Sequence, residues 1–290
     1  MSYKLFVKFV LILTLSVTYL EFMYHTVFQF PVEYLGYIGN IQNEYNLNVW
    51  YIMRVFGVAS YSQVNGALLA ILTFLYYMEV GRVDKFILMG FVATFLTLTG
   101  TGVFSLILLT PLMFKRLFLM GFFTLIMAFL FILNISYLIE IFPDVHILYR
   151  ISAEQFTLYF EIFMNFFTLN FNEFTTYNWV FGREFFSEYY GESPSHDWSY
   201  FGIITEFGLV GLFSYLIIYS VVLYGAIYKG IKKTKKIYFV LVVLVINSHY
   251  PVLNFYIFQF LLGVLFVLNL HIDRAQVKYA YTKRLNYDCI

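Results

Sequence analysis

Apolar residues run along the chain in long stretches broken by short charged connections. A helix crossing the hydrocarbon of a bilayer needs about 20 such residues, with about 17 as a lower limit. Eight stretches come near that length: 5–20, 64–80, 86–100, 102–114, 117–139, 198–228, 237–250 and 254–270. The pattern predicts an all-α integral membrane protein, a polytopic helical bundle of about eight transmembrane helices forming one membrane domain over 1–290. The first stretch lies between Lys4 and Glu21 and lacks a small-residue cleavage site, so it is expected to be a retained span. The third and fourth are short and meet at Thr99-Gly100-Thr101-Gly102. Two spans, a re-entrant pair or one long broken helix all fit that junction.

The polar intervals are unequal. Residues 21–63 and 140–197 are too long for turns and contain Phe30-Pro31, Phe142-Pro143-Asp144 and Gly191-Glu192-Ser193-Pro194-Ser195; long ordered loops are frequently functional. Within 153–171, Phe156, Tyr159, Phe160, Phe163, Phe166 and Phe167 recur at helical spacing, while Glu154 and Glu161 lie off that stripe. The spacing predicts an amphipathic helix lying on the membrane surface or capping the bundle. Residues 271–290 form a polar tail.

Composition agrees: 61% of residues are apolar, 12% charged and 23% aromatic. Aromatic side chains are enriched at the headgroup level of bilayers. Eighteen basic against 17 acidic residues leave a net charge of +1, which supplies no field for nucleic acid. The single cysteine, Cys289, cannot build a disulfide or a cysteine metal site within the chain. Charge also sets orientation, because cytoplasmic connections hold the excess of Lys and Arg. Lys4, Lys8, Arg82, Lys85, Lys115, Arg116, the run Lys229–Lys236 and Arg274–Arg284 fall on one side if eight spans are assumed. Arg54, Arg150 and Arg183 remain opposite them, among acidic residues. Both termini are thus expected to be cytoplasmic, with 21–63 and 140–197 as outer, periplasmic loops. The Lys229–Lys236 run reads as an anchor at the anionic inner leaflet.

Three arginines on a face otherwise depleted of cations are the groups available to meet an anionic substrate, and the guanidinium fork suits phosphate oxygens. Against this stands the ordinary role of a headgroup-bound arginine. His196, followed by Asp197 and Trp198, stands at the mouth of the sixth span and titrates in a range suited to accepting a proton from a hydroxyl; a loop histidine capping a helix is the plainer reading. His249, in Asn247-Ser248-His249, is a second candidate on the same side. Glu206 lies in the apolar run from Gly202 to Gly211, and an ionisable group in a span marks a functional hypothesis. It follows His196 by ten residues, roughly 15 Å along a continuous helix. Gly208 and Gly211 suit close approach of another helix. No histidine spacing matches a metal site, so no metal and no cofactor are expected. No phosphate-binding loop, dinucleotide fingerprint or nucleophile elbow is present.

The segment from Arg54 through Gly57 to Asn65-Gly66 resembles an element of the O-antigen polymerase and O-antigen ligase superfamily: Arg, two residues, Gly, a polar stretch, Asn, then a new span. His196-Asp197 followed by Gly208-Leu209-Val210-Gly211 resembles the family's periplasmic histidine and its Glu-x-Gly-Leu-x-Gly helix. Arg150 before an aromatic helix and Phe181-Gly182-Arg183 fall where members show an Arg and then a Phe-Gly or Leu-Gly turn. The resemblance covers roughly residues 50–270. Three departures stand out. The family's Thr-x-Ser-Arg element is here Thr99-Gly100-Thr101-Gly102, without arginine; Asp197 replaces the usual Asn; and the spacing to Gly208 is one residue longer than in ligases. These favour polymerase over ligase.

The resemblance implies a metal-independent glycosyltransferase of the bacterial inner membrane, working at its periplasmic face. Its donor would be an oligosaccharide on undecaprenyl pyrophosphate, and its acceptor a sugar hydroxyl on a second lipid-linked unit. Arg54, Arg150 and Arg183 would hold the pyrophosphate and stabilise it as it leaves, His196 would deprotonate or orient the acceptor, and Asp197, Glu206 and His249 would bind substrate. Membrane lipid and a polysaccharide chain-length regulator are the other candidate partners. The alternatives are a ligase acting on lipid A core and a lipid-linked oligosaccharide flippase or transporter.

Overall fold

The computed structural model describes residues 2–24, 28, 55, 57–59, 62–97, 99–127, 130, 161, 164, 168, 174–183, 199–249 and 252–287, with side chains as far as His271. Among these residues the regular structure is helical, with no strand. The main elements are α1 (Tyr3–Phe22), α2 (Ser62–Val80), α3 (Lys85–Leu96), α4 (Gly100–Leu109), α5 (Leu117–Met127), α6 (Thr176–Phe181), α7 (Ser199–Ala226), α8 (Lys233–His249) and α9 (Tyr256–Tyr287). Short 3-10 turns occupy Gly57–Ala59, Thr110–Met113 and Val252–Asn254. By length and composition, three helices suffice to cross a membrane: α1, α2 and the Tyr200–Ala226 part of α7.

Local sequence sets the helix starts. Ser2 caps α1 by accepting from the Leu5 amide, Asp84 caps α3 by accepting from Phe86 and Ile87, and Thr99 caps α4 by accepting from Gly102. The centre of the bundle is α2, 78% buried over its most apolar stretch and packed by α1, α3 and α4. Close helix approach is made with small residues, as in membrane bundles. A Cβ on Gly90 would overlap Thr73, and one on Gly66 would stand 2.8 Å from the hydroxyls of Thr97 and Thr99. The α3–α4 pair is therefore two helices whose junction at Thr99-Gly100-Thr101-Gly102 rests on Gly66, one turn into α2, and not one continuous helix.

The second layer is α7, α8 and α9, joined to the first where Tyr238 of α8 donates to the Leu108 carbonyl at 2.8 Å. Large apolar side chains face outward on several helices, among them Phe9 on α1, Leu88 and Phe95 on α3, Phe122 on α5, Ile217 and Val221 on α7 and Phe260 on α9. An outward apolar belt over a packed interior fits lipid as the solvent.

Basic side chains gather at one end. Lys8 and Lys85 both sit over the Phe86 ring, at 5.0 and 5.4 Å. Lys235 donates to the Leu112 carbonyl at 2.7 Å and Lys236 to that of Ile227 at 3.1 Å. Two lysines of the Lys229–Lys236 run thus cap helix ends inside the protein, a role the charge pattern alone does not reveal.

The stretch expected as one span over 198–228 is present in α7, but it does not run straight. Gly208 has non-helical backbone angles, φ 65° and ψ −168°. The rings of Tyr200 and Tyr215 lie 6.1 Å apart, whereas fifteen residues of continuous helix would separate them by about 22 Å along the axis. The chain reverses at Gly208, so the leg that continues toward the lysine-rich end is 209–226.

Candidate functional site

Two polar clusters occupy the end of the bundle away from the lysines. The first joins α1 to α2 through the Gly57 turn. Glu21 and Thr18 are one turn apart on α1 and both are buried. Glu21 accepts a hydrogen bond from the Gly57 amide at 2.6 Å, and Thr18 accepts one from the Asn65 amide group at 3.3 Å. Gly57 adopts φ 60°, and a Cβ there would overlap the Asn65 side chain, which is completely buried. The Asn65 side-chain oxygen Oδ1 has no hydrogen-bond partner among the described residues. The Gly and Asn of the sequence motif are therefore in direct contact, an arrangement that needs glycine at 57 because a left-handed backbone and a filled site coincide.

The second joins residues 174–183 to the reversal of α7. Thr175 and Asn178 form a capping box at the start of α6. Asn178 then closes the helix: its carbonyl accepts from the Gly182 amide at 2.8 Å, and its side chain donates to the Gly182 carbonyl at 3.4 Å. Gly182 has φ 85° and lies against the α7 backbone at Glu206 and Phe207. The Arg183 amide donates to the Thr205 carbonyl at 2.9 Å. In an unbroken helix that carbonyl would accept from Leu209; the break at Gly208 frees it. The Arg183 guanidinium lies 5.1 Å from the centre of the Phe174 ring, within cation–π range, and Phe174 packs edge-on against Trp179 at 5.4 Å.

Glu206 sits on the same reversal, two residues before Gly208, and its side chain is exposed. It is therefore not packed inside the helical bundle. Gly208 does admit a close neighbour, as its spacing suggests, but the neighbour is α6 and not another span. Gly211 differs from expectation: a Cβ there would overlap Phe207 of the same element, pushed close by the reversal.

His249 ends α8, and its backbone is held near α7 by Asn247, which accepts from the Leu253 amide at 2.8 Å and donates to Tyr215 at 3.0 Å. The His249 side chain lies outside the described residues, as do Arg54, Arg150, His196 and Asp197. Of the aromatic helix expected over 153–171, Glu161, Met164 and Thr168 are described; each is helical and exposed. Among the described residues no group of three or more His, Cys, Asp or Glu side chains gathers as a metal site.

Sequence reasoning did not single out Glu21, Thr18, Thr205 or Asn178. Glu21 reads as an ordinary loop-boundary acid. The signal available was the pair Thr18 and Glu21 on one face at the end of an otherwise apolar helix. Thr205 leaves no signal, since its contribution is a main-chain carbonyl.

Comparison with protein families, characterised proteins and solved structures gives no match to this chain.

Proposed function

We propose that this chain is a polytopic membrane glycosyltransferase that polymerises lipid-linked oligosaccharide repeat units at the outer, periplasmic face of a bacterial inner membrane. The donor glycan leaves undecaprenyl pyrophosphate and is joined to a sugar hydroxyl of a second unit. Arg54, Arg150 and Arg183 neutralise the pyrophosphate as it departs, where fixed cations lower the barrier most. His196 takes the acceptor proton, with Asp197, Glu206 and His249 around the sugars. In this reading both termini are cytoplasmic, about eight helices cross the membrane, and 140–197 is the outer loop that carries the chemistry.

The observation that carries the reading is the placement of Arg183. Arg183 stands on the turn that follows α6, its amide donating to the Thr205 carbonyl at 2.9 Å and its guanidinium 5.1 Å from the centre of the Phe174 ring. An arginine whose backbone is tied down and whose guanidinium rests on an aromatic ring is suited to meeting a phosphate in fixed geometry.

One observation favours a second reading. Broken helices frame the substrate sites of many transporters, and α7 is broken at Gly208; a lipid-linked oligosaccharide flippase is that alternative, with the O-antigen ligase as the nearer rival.

The test is the length distribution of surface polysaccharide in cells lacking the gene and complemented with wild type, Arg183→Ala, Arg54→Ala or His196→Ala. A ladder restored by wild type alone, over a background of single repeat units, supports polymerisation. Loss of the single unit as well points to ligase or flippase, and an unchanged ladder in every variant overturns the assigned residues.

A further inference from the structure

We infer that Gly182 and Gly208 form a reciprocal backbone lock that positions Arg183; its functional half rests on the pyrophosphate role proposed above for that arginine. The two glycines face each other's main chain. A Cβ on Gly182 would stand 2.6 Å from the Phe207 nitrogen and closer still to the Glu206 carbonyl, while one on Gly208 would stand 2.5 Å from the Phe181 nitrogen and closer to the Val180 carbonyl. Both have backbone angles in a region open essentially to glycine alone, φ 85° with ψ −178° and φ 65° with ψ −168°. Neither contact can be relieved by turning a side chain, because the atoms in the way are backbone.

The lock has a consequence for two candidate residues at once. The break at Gly208 releases the Thr205 carbonyl, and the Arg183 amide takes it. Arg183 and Glu206 are thereby carried on one rigid piece, although 22 residues separate them in sequence. Gly182 and Gly208 are positioning residues: they touch no substrate and act through the placement of the guanidinium.

The experiment has two arms. In the full-length protein with Cys289→Ser, cysteines replacing Arg183 and Glu206 are treated with a short bismaleimide in membranes. Cross-linking is expected, and is expected to fall at least about tenfold when Gly208→Ala is added, as a displacement beyond reagent reach requires. Absence of cross-linking in the parent, or its persistence in Gly208→Ala, overturns the lock whatever the protein's activity. The second arm measures turnover of lipid-linked repeat units by protein in proteoliposomes. Gly182→Ala is expected to lower turnover about 100-fold, the scale of an ångström-sized misplacement, and to add nothing in an Arg183→Ala background. Additive losses would make the glycine merely structural and overturn the positioning role. Asn178→Ala loosens the same turn without forcing a Cβ into backbone, and it serves the same cycle should either glycine variant fail to accumulate. A wild type that turns over no repeat units removes the functional half of the inference and the proposed activity together, while the cross-link still decides the lock.

Discussion

Gly57 and Gly182 solve the same problem with different materials. Each takes a positive φ, each lies within three residues of a candidate arginine, and each ties a segment between the long helices to one of those helices. Gly57 is held by side chains, the Glu21 carboxylate on its amide and Asn65 against its α-carbon. Gly182 has main chain against its α-carbon, Glu206 and Phe207, with only a long side-chain bond from Asn178 to its carbonyl. A side-chain anchor can be loosened or refitted by changing the partner. At a backbone contact there is no side chain to trim, so the position tolerates only glycine however the neighbouring side chains are changed.

The largest expected effect follows from that difference. Gly182→Ala meets about 1–3 kcal/mol of backbone strain and adds an overlap that no rotamer relieves, so the loss should reach at least about 3 kcal/mol. In detergent it should lower Tm more steeply than Gly57→Ala, Asn65→Ala or Glu21→Ala, and Phe207→Ala added to it should recover nothing. Recovery would mean that a side chain, not the backbone, fills the space.

Gly57→Ala should come next and behave in the opposite way. Alone it carries the left-handed strain of about 1–2 kcal/mol together with the clash on Asn65. Asn65→Ala alone should cost about 1–3 kcal/mol, through the lost bond to Thr18. Combined, the two should cost less than their sum by about 1–2 kcal/mol, since truncating Asn65 makes room for the new methyl. Strict additivity of the Tm shifts would show that Gly57 does not depend on its neighbour.

Glu21 sharpens the point at smaller scale. Glu21→Ala leaves the Gly57 amide without its acceptor and should cost about 1–3 kcal/mol. Glu21→Gln keeps an acceptor oxygen, so it should cost about half of that or less. Equal losses in the two variants would assign the contribution to the carboxylate charge and not to the hydrogen bond.

Much of the fold was legible because membrane helices announce themselves by uninterrupted apolar runs. The runs 5–20 and 64–80 match α1 and α2 to within two residues at each end, and Thr99-Gly100-Thr101-Gly102 marked the junction of α3 and α4. The reversal of α7 was not legible, because apolar residues continue on both sides of Gly208 and hydropathy carries no record of direction. For the same reason Gly208 and Gly211 looked alike in sequence, yet one faces α6 and the other faces Phe207. The candidate site was legible in part. Gly57 with Asn65, and Gly182 with Gly208, were marked by motif spacing, but not that the members of each pair touch. Backbone contacts have no residue signature, and a buried carboxylate such as Glu21 looks the same in sequence as a solvated one.

The smallest effect extends the comparison to the opposite end of the bundle, where side chains again hold backbone, this time as lysines on helix carbonyls. Lys235 and Lys236 are both pushed below the ordinary lysine pKa, first by burial and then by the neighbouring charges of Lys232 and Lys229 respectively. Their hydrogen bonds to Leu112 and Ile227 offset part of the burial cost, aided by the negative end of a helix dipole. The unfolded chain binds these protons more tightly than the folded one, so between the lowered folded values and the unfolded value of about 10.5 stability should rise with pH. As pH falls through the folded values, that contribution is lost. Comparing wild type with Lys235→Met/Lys236→Met, the difference in Tm should shift in favour of wild type from about pH 8 to about pH 10. Contacts made by main chain, such as those at Gly182, carry no proton and should show no such drift, so Gly182→Ala should track wild type in parallel over the same interval. A flat difference for the lysine pair would mean that both ammonium groups are hydrated in the folded protein as they are in the unfolded one.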